Sequence, residues 1–214
     1  MPFRSGALPA ALLALTLPLA QPLAAQESVA ELPAQTFTLD PSHSALVFSV
    51  DHLGFSQFTA TFDRFAGTLA LDPANPAEAR LDVTIDVASL DLPSPPDGFL
   101  TELMGPNFFD AGAFPQMTYT SETVTLTGPT TATVAGTLTL LGVAQPVTLD
   151  VEFNGNSLPG QFEPWARVGF SATGSLSRSA FGMAYGVPPE GSTLGVGDQV
   201  AFRIESEWTG ETPE

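Results

Sequence analysis

The feature that most constrains this chain is a two-residue period. In Leu81-Asp82-Val83-Thr84-Ile85-Asp86-Val87, polar residues alternate with branched apolar ones. A strand points successive side chains to opposite faces, so this stretch has one wet face and one dry face. Leu46, Phe48, Val50 and His52 share a face in the same way, and Phe58-Thr59-Ala60-Thr61-Phe62 continues the period. Further strands are expected at 118–127, 133–140, 147–153, 166–176 and 200–208, where Thr and Val dominate. Turn signals separate them: Asp72-Pro73, Gly128-Pro129, Gly142 to Pro146, Asn154-Gly155, Leu158-Pro159-Gly160 and Pro188-Pro189. Closely spaced strands and turns point to an antiparallel sandwich or barrel. A barrel of about eight strands encloses side chains or one ligand, and periodicity does not choose between them.

One interval breaks the strand pattern. Residues 96–106 (P-D-G-F-L-T-E-L-M-G-P) read as a single short helix, with Asp97 near its start and Gly105-Pro106 as its stop. Phe99, Leu100, Leu103 and Met104 form its apolar stripe.

The ends read differently from the middle. Arg4, an apolar run from Ala7 to Ala20, and Leu23-Ala24-Ala25 resemble a signal peptide over residues 1–25, cleaved after Ala24 or Ala25. The run is short and proline-interrupted for a membrane span of roughly 20 residues. Residues 26–35 read as a loose lead, 36–210 as one domain and 211–214 as a frayed tail. The expected location is outside the cytoplasm, reached by export, with no stable membrane insertion. The chain has no cysteine, so no disulfide framework supports it.

Charge excludes some partners. The formal net charge is −17, and the six basic residues are all arginine. Such a surface repels phosphate backbones and anionic headgroups, so no nucleic acid partner is expected. Sixteen Phe stand against two Tyr and two Trp, a surplus of rings without polar handles that suits a packed core or an apolar cavity.

No constellation announces catalysis. There are two histidines, His43 and His52, no G-x-S-x-G elbow and no Cys nucleophile. In an unbroken strand His43 and His52 would stand about 30 Å apart and face opposite ways, so they do not share a metal ion with Asp40. His43 suits a hydrogen bond at a strand start, and His52 an interior site or a polar head at a cavity mouth. Asp82 and Asp86 read as a solvated strand face rather than a glycosidase pair. Arg178, following an apolar strand, suits a salt bridge closing one barrel end or a contact to a polar ligand head.

Four stretches resemble the YceI-like family. They are L-D-P-S-H-S-A-L-V-F-S-V-D-H-L-G-F-S (Leu39–Ser56), G-P-N-F-F-D-A-G-A-F-P-Q-M-T-Y-T-S (Gly105–Ser121), G-T-L-T-L-L-G-V-A-Q-P-V-T-L (Gly136–Leu149) and S-R-S-A-F-G-M (Ser177–Met183). Their order and spacing agree with the family from Phe37 to Trp208. The resemblance implies an all-β fold: an elongated, antiparallel, lipocalin-like β-barrel of about eight strands with one short helix. It implies a periplasmic lipid-binding protein, often a homodimer, that holds an isoprenoid quinone or polyprenyl lipid as its only bound group. No catalytic residue, metal or cofactor is expected.

On that reading Phe48, Val50, Phe58, Phe62, Val83, Ile85, Phe99, Leu103, Phe108, Phe109, Phe114, Tyr119, Leu138 and Leu140 line an apolar tunnel, with His52 and Arg178 at a polar end. Two departures matter. Leu141 stands where the family commonly has His, and the family's basic and His residues around the helix are absent from Asp97 to Leu103. They turn the expected cargo from a charged prenyl pyrophosphate towards a neutral prenyl lipid. The alternatives are a structural or interaction barrel with a filled core, and a lipid-modifying enzyme built on His52, Tyr119 and Arg178.

Overall fold

The alternating stretches form antiparallel strands in a computed structural model that describes residues 32–160 and 163–210. In chain order they are β1 (Gln35–Leu39), β2 (Ala45–His52), β3 (Ser56–Phe62), β4 (Phe65–Leu71), β5 (Arg80–Asp86), β6 (Leu90–Asp91), β7 (Gln116–Leu126), β8 (Thr131–Leu140), β9 (Val143–Ser157), β10 (Arg167–Ser177) and β11 (Val196–Gly210). One α-helix, α1 (Phe99–Leu103), lies between β6 and β7.

Three long strands are each broken once. A 3-10 turn, Pro41–His43, separates β1 from β2, and the Asp40 carboxylate caps it by accepting from the Ser42 N–H. Both halves run along β11, with Leu39 opposite Trp208 and Leu46 opposite Ile204. β3 and β4 continue each other across Asp63-Arg64. The 3-10 turn Val87–Ser89, capped by Asp86, joins β5 to β6. Eleven segments therefore make eight staves, each bonded to its neighbour in sequence. β11 returns to β1 and β2, which closes an up-and-down barrel and leaves no long free edge.

The alternation decides which face is inside. In β7 the buried residues are Met117, Tyr119 and Ser121, and in β8 they are Val134, Gly136, Leu138 and Leu140. Threonines and acids between them face out. The turns 72–79 and 127–130 lie at one end of the barrel with Leu32 and Gly210, here the terminal end. The turns 53–55 and 141–142, the loop 178–195 and the segment 92–115 lie at the other, here the helix end. One buried cluster, including Phe62, Val87, Tyr119, Leu140 and Phe181, fills the helix end. A second, built on Phe37, Leu69, Val168 and Trp208, closes the terminal end.

The barrel carries three strands that periodicity did not mark. β1 begins at Gln35, where a loose lead was expected to end, and Phe37 within it is fully buried. β4 alternates Phe65, Gly67, Leu69 and Leu71 inward, but its glycine and alanines blunt the signal. β6 is two residues long. The short helix falls inside the expected interval, with Gly98 as its N-cap and Asp97 directly before it. The expected signal peptide, most of the lead and the tail 211–214 lie outside the described residues. No helix among the described residues is long and apolar enough to cross a membrane.

Candidate ligand-binding site

The barrel interior is not filled by side chains. An inner cavity of about 160 Å³ occupies the helix half. An outer cavity of about 230 Å³ occupies the terminal half. Leu81, Leu149 and Ile204 line both, so the two are neighbours along the barrel. Together they reach the lower part of the size range of ligand pockets, about 300–1,000 Å³.

The inner compartment is almost wholly apolar. Of the residues expected in a tunnel, Phe48, Phe62, Val83, Ile85, Phe109, Tyr119, Leu138, Leu140 and Arg178 line it. Phe48 stacks on Phe62 at 5.5 Å, and Phe109 meets Phe62 edge-on at 5.7 Å. Phe109 comes from the segment after α1 and lines the cavity from the helix end. Phe58, Phe99, Leu103 and Phe108 pack against the same apolar cluster but do not line the cavity. Phe114 lies over Gly142, and Val50 is buried in the wall.

The polar candidates are separated and engaged. Arg178 is buried, and among the described residues it makes no salt bridge. Its guanidinium donates to four backbone carbonyls: Nε to Gly197 at 2.9 Å, Nη1 to Met183 and Tyr185 at 2.9 Å each, and Nη2 to Val196 at 2.8 Å. The cation thereby ties the loop 178–195 to the start of β11, and burial pulls its pKa down. The expected salt bridge is thus replaced by carbonyls, which a planar five-donor fork matches well. The Tyr119 hydroxyl is 3.0 Å from the Val134 carbonyl and 3.3 Å from that of Val147. Burial first, then the charge of Glu122, pushes its pKa up to about 12. His52 is exposed at the end of β2, not inside. The three do not converge into a reacting group.

The outer compartment was not legible as a site. Pro73, Pro76, Leu126, Gly128 and Pro129 lie at its mouth, and Leu69, Val168 and Trp208 line it where the wall is buried. The prolines were visible only as turn markers. Its polar walls are Ser, Thr and Asn; no charged residue lines it among the described residues.

A polar cluster sits outside the barrel. Asp40, His43 and Glu207 bring ligand atoms within 4.8 Å of one another. Arg167 already fills that space, 2.8 Å from Asp40 Oδ2 and 2.6 Å from Glu207 Oε2, with Glu163 at 2.8 Å. The Arg167 hydrogen bond, then that of His43, holds Asp40 at a pKa of about 2. This is an ion-pair network at the junction of β1, β10 and β11.

Residues 37–208 match the family described as YceI-like domain. The chain belongs to the YceI-like family. Its relatives include a UPF0312 protein of Pseudomonas savastanoi pv. phaseolicola, 31% identical over 78% of this chain and 85% of the relative. Another, from Photorhabdus laumondii, is 33% identical over 69% of this chain and 74% of the relative. Among solved structures, Burkholderia cenocepacia BcnA superposes with a TM-score of 0.67 at 27% identity, covering 79% of this chain and 98% of that one. The Campylobacter jejuni YCEI protein gives 0.63 at 30%, covering 75% and 89%. A polyisoprenoid binding domain from Saccharophagus degradans gives 0.63 at 15%, covering 83% and 99%, and shares the fold. The YceI-like barrel of this chain thus combines an apolar lumen with a lid segment and a guanidinium-pinned loop.

Proposed function

We propose that the barrel binds a long, neutral isoprenoid lipid, such as an isoprenoid quinone or an uncharged polyprenyl lipid. It acts as a periplasmic carrier, storage or scavenging protein, without catalysis. The observation that carries this reading is the two-compartment apolar lumen. Each buried methylene contributes about 0.8 kcal/mol, so a prenyl chain is held without polar contacts. The polyisoprenoid binding domain of Saccharophagus degradans, built on the same fold, supports a chain of this kind. Neutrality follows from the walls. The one cation lining either cavity, Arg178, has its donors on backbone carbonyls, and the chain's net charge is −17. A pyrophosphate head would find no free positive partner among the described lining residues. The leader-like residues 1–25 support the periplasmic location.

Competition for one bound apolar fluorophore tests this directly. Polyprenyl alcohol and prenyl quinone should displace it, and the diphosphate of the same prenyl chain should do so about tenfold more weakly. Stronger displacement by the diphosphate would overturn the neutral headgroup. No displacement by any prenyl chain would overturn the cargo.

A further inference from the structure

Two rings that line the inner compartment lie on glycines of the neighbouring strand. Tyr119 in β7 lies over Gly136 in β8: a Cβ built there would meet the Tyr119 hydroxyl at 2.6 Å and Cζ at 2.7 Å. Phe202 in β11 lies over Gly174 in β10, where a Cβ would run into Cζ and meet Cε2 at 2.8 Å. Both are closer than side chains tolerate. The ring order of strands places β7 and β11 on opposite walls of the barrel. Each ring is therefore laid back against its own wall, away from the other, and the space between them is the inner cavity that both line.

We propose that Gly136 and Gly174 set the bore of the inner compartment, and so the length and bulk of the apolar chain that the barrel accepts. This rests on the reading that the cargo is an apolar chain. Glycine here supplies room rather than backbone freedom, because neither residue has a positive φ. A methyl at either position drives its ring towards the axis, where the cargo chain must pass. The Tyr119 hydroxyl is held by the β8 and β9 carbonyls, which resists that inward movement. Phe202 has no such anchor, so its displacement into the lumen is the more complete.

Gly174 is the better site to test. The Gly136 Cβ would also press on the Thr120 carbonyl of the paired strand β7. At Gly174 the nearest backbone atom is the Thr148 carbonyl oxygen at 2.9 Å, and the pairing of β9 with β10 has already ended at Thr173 opposite Asp150. That part of β9 is paired on its β8 side alone, with Thr148 opposite Ala135. The experiment loads delipidated full-length protein with a graded series of linear polyprenyl alcohols and reads bound mass by native mass spectrometry. Folding is followed by thermal melting.

Wild type should accept long members of the series. Gly174→Ala should bind those members about tenfold more weakly, with the longest accepted chain shortened by at least one isoprene unit. Gly174→Ala/Phe202→Leu, which removes the displaced ring, should recover the long members. Folded Gly174→Ala with an unchanged series overturns the proposal, as does failure of the double variant to recover. If Gly174→Ala does not fold, Phe202→Trp, whose larger ring overfills the same seat, must shorten the series instead; an unchanged series again overturns it. Wild type that loads no member overturns both this proposal and the cargo reading beneath it.

Discussion

Arg178 and Asp40 put their charges to different uses. Arg178 holds a loop by donating to four buried or part-buried backbone carbonyls. Replacing it by Met orphans those carbonyls, and each buried orphan is costly. Arg178→Met is expected to lose on the order of 3 kcal/mol or more of unfolding free energy in urea, with Arg178→Lys intermediate because a lysine lacks the fork. Asp40 works through pH. Its pKa falls from 3.8 to about 2 on folding, so its contribution is complete above pH 4 or so and is lost as pH drops through about 2. Asp40→Asn should flatten the dependence of unfolding free energy on pH between those values; an unchanged slope would show that the Arg167 network does not act through Asp40. The sequence marked Arg178 as scarce and therefore purposeful, but not its partners. Backbone carbonyls have no sequence signature, whereas a carboxylate partner would have had one. His52 was misplaced for a related reason: its period put it on the inward face, but it is the last residue of β2, where the wall ends and the ring reaches solvent.

At the scale of elements, the segment 92–115 is the lid of the helix end. Its anchor is Phe109, wedged edge-on against Phe62. Phe109→Ala should cost about 2–3 kcal/mol, less than a fully buried Phe because the ring is only half-buried. It should also speed release of a preloaded polyprenyl alcohol into acceptor vesicles. Release at the wild-type rate would show that the helix end is not the seal. The β8–β9 turn explains another part of what the sequence could show. Leu141 and Gly142 both have positive φ, 53° and 73°, as a two-residue hairpin turn of this hand requires. Asn-Gly would have announced it. Leucine hides it, because its side chain is held against the apolar cluster instead. Pro146 was read as part of a turn, yet it lies within β9, in the half with no β10 partner, where a proline is tolerated. The long, strictly alternating strands were legible because one face is buried and the other wet. β4 and β6 were not, being glycine-softened in one case and two residues long in the other.

For the whole molecule, closure and hollowness are separate properties. Closure follows from eight staves; the repeated strand–turn pattern pointed to a sandwich or a barrel, and the family resemblance to the barrel. Hollowness depends on where rings lie once the walls meet, at Gly136 and Gly174 above all, and alternation does not encode it. The same Phe-rich composition would suit a filled core. The outer compartment adds a second lesson, since its walls come from two turns and seven strands that meet only in the closed barrel. An acidic, lysine-free exterior around an apolar lumen fits a carrier that stays dispersed in water while its cargo does not touch water. The most direct test is organic extraction of the protein purified from the cells that naturally make it, followed by lipid mass spectrometry. The account predicts a neutral isoprenoid lipid present in near-equal molar amount with the protein. Protein that yields no apolar lipid, or that yields a prenyl pyrophosphate in its place, would contradict it.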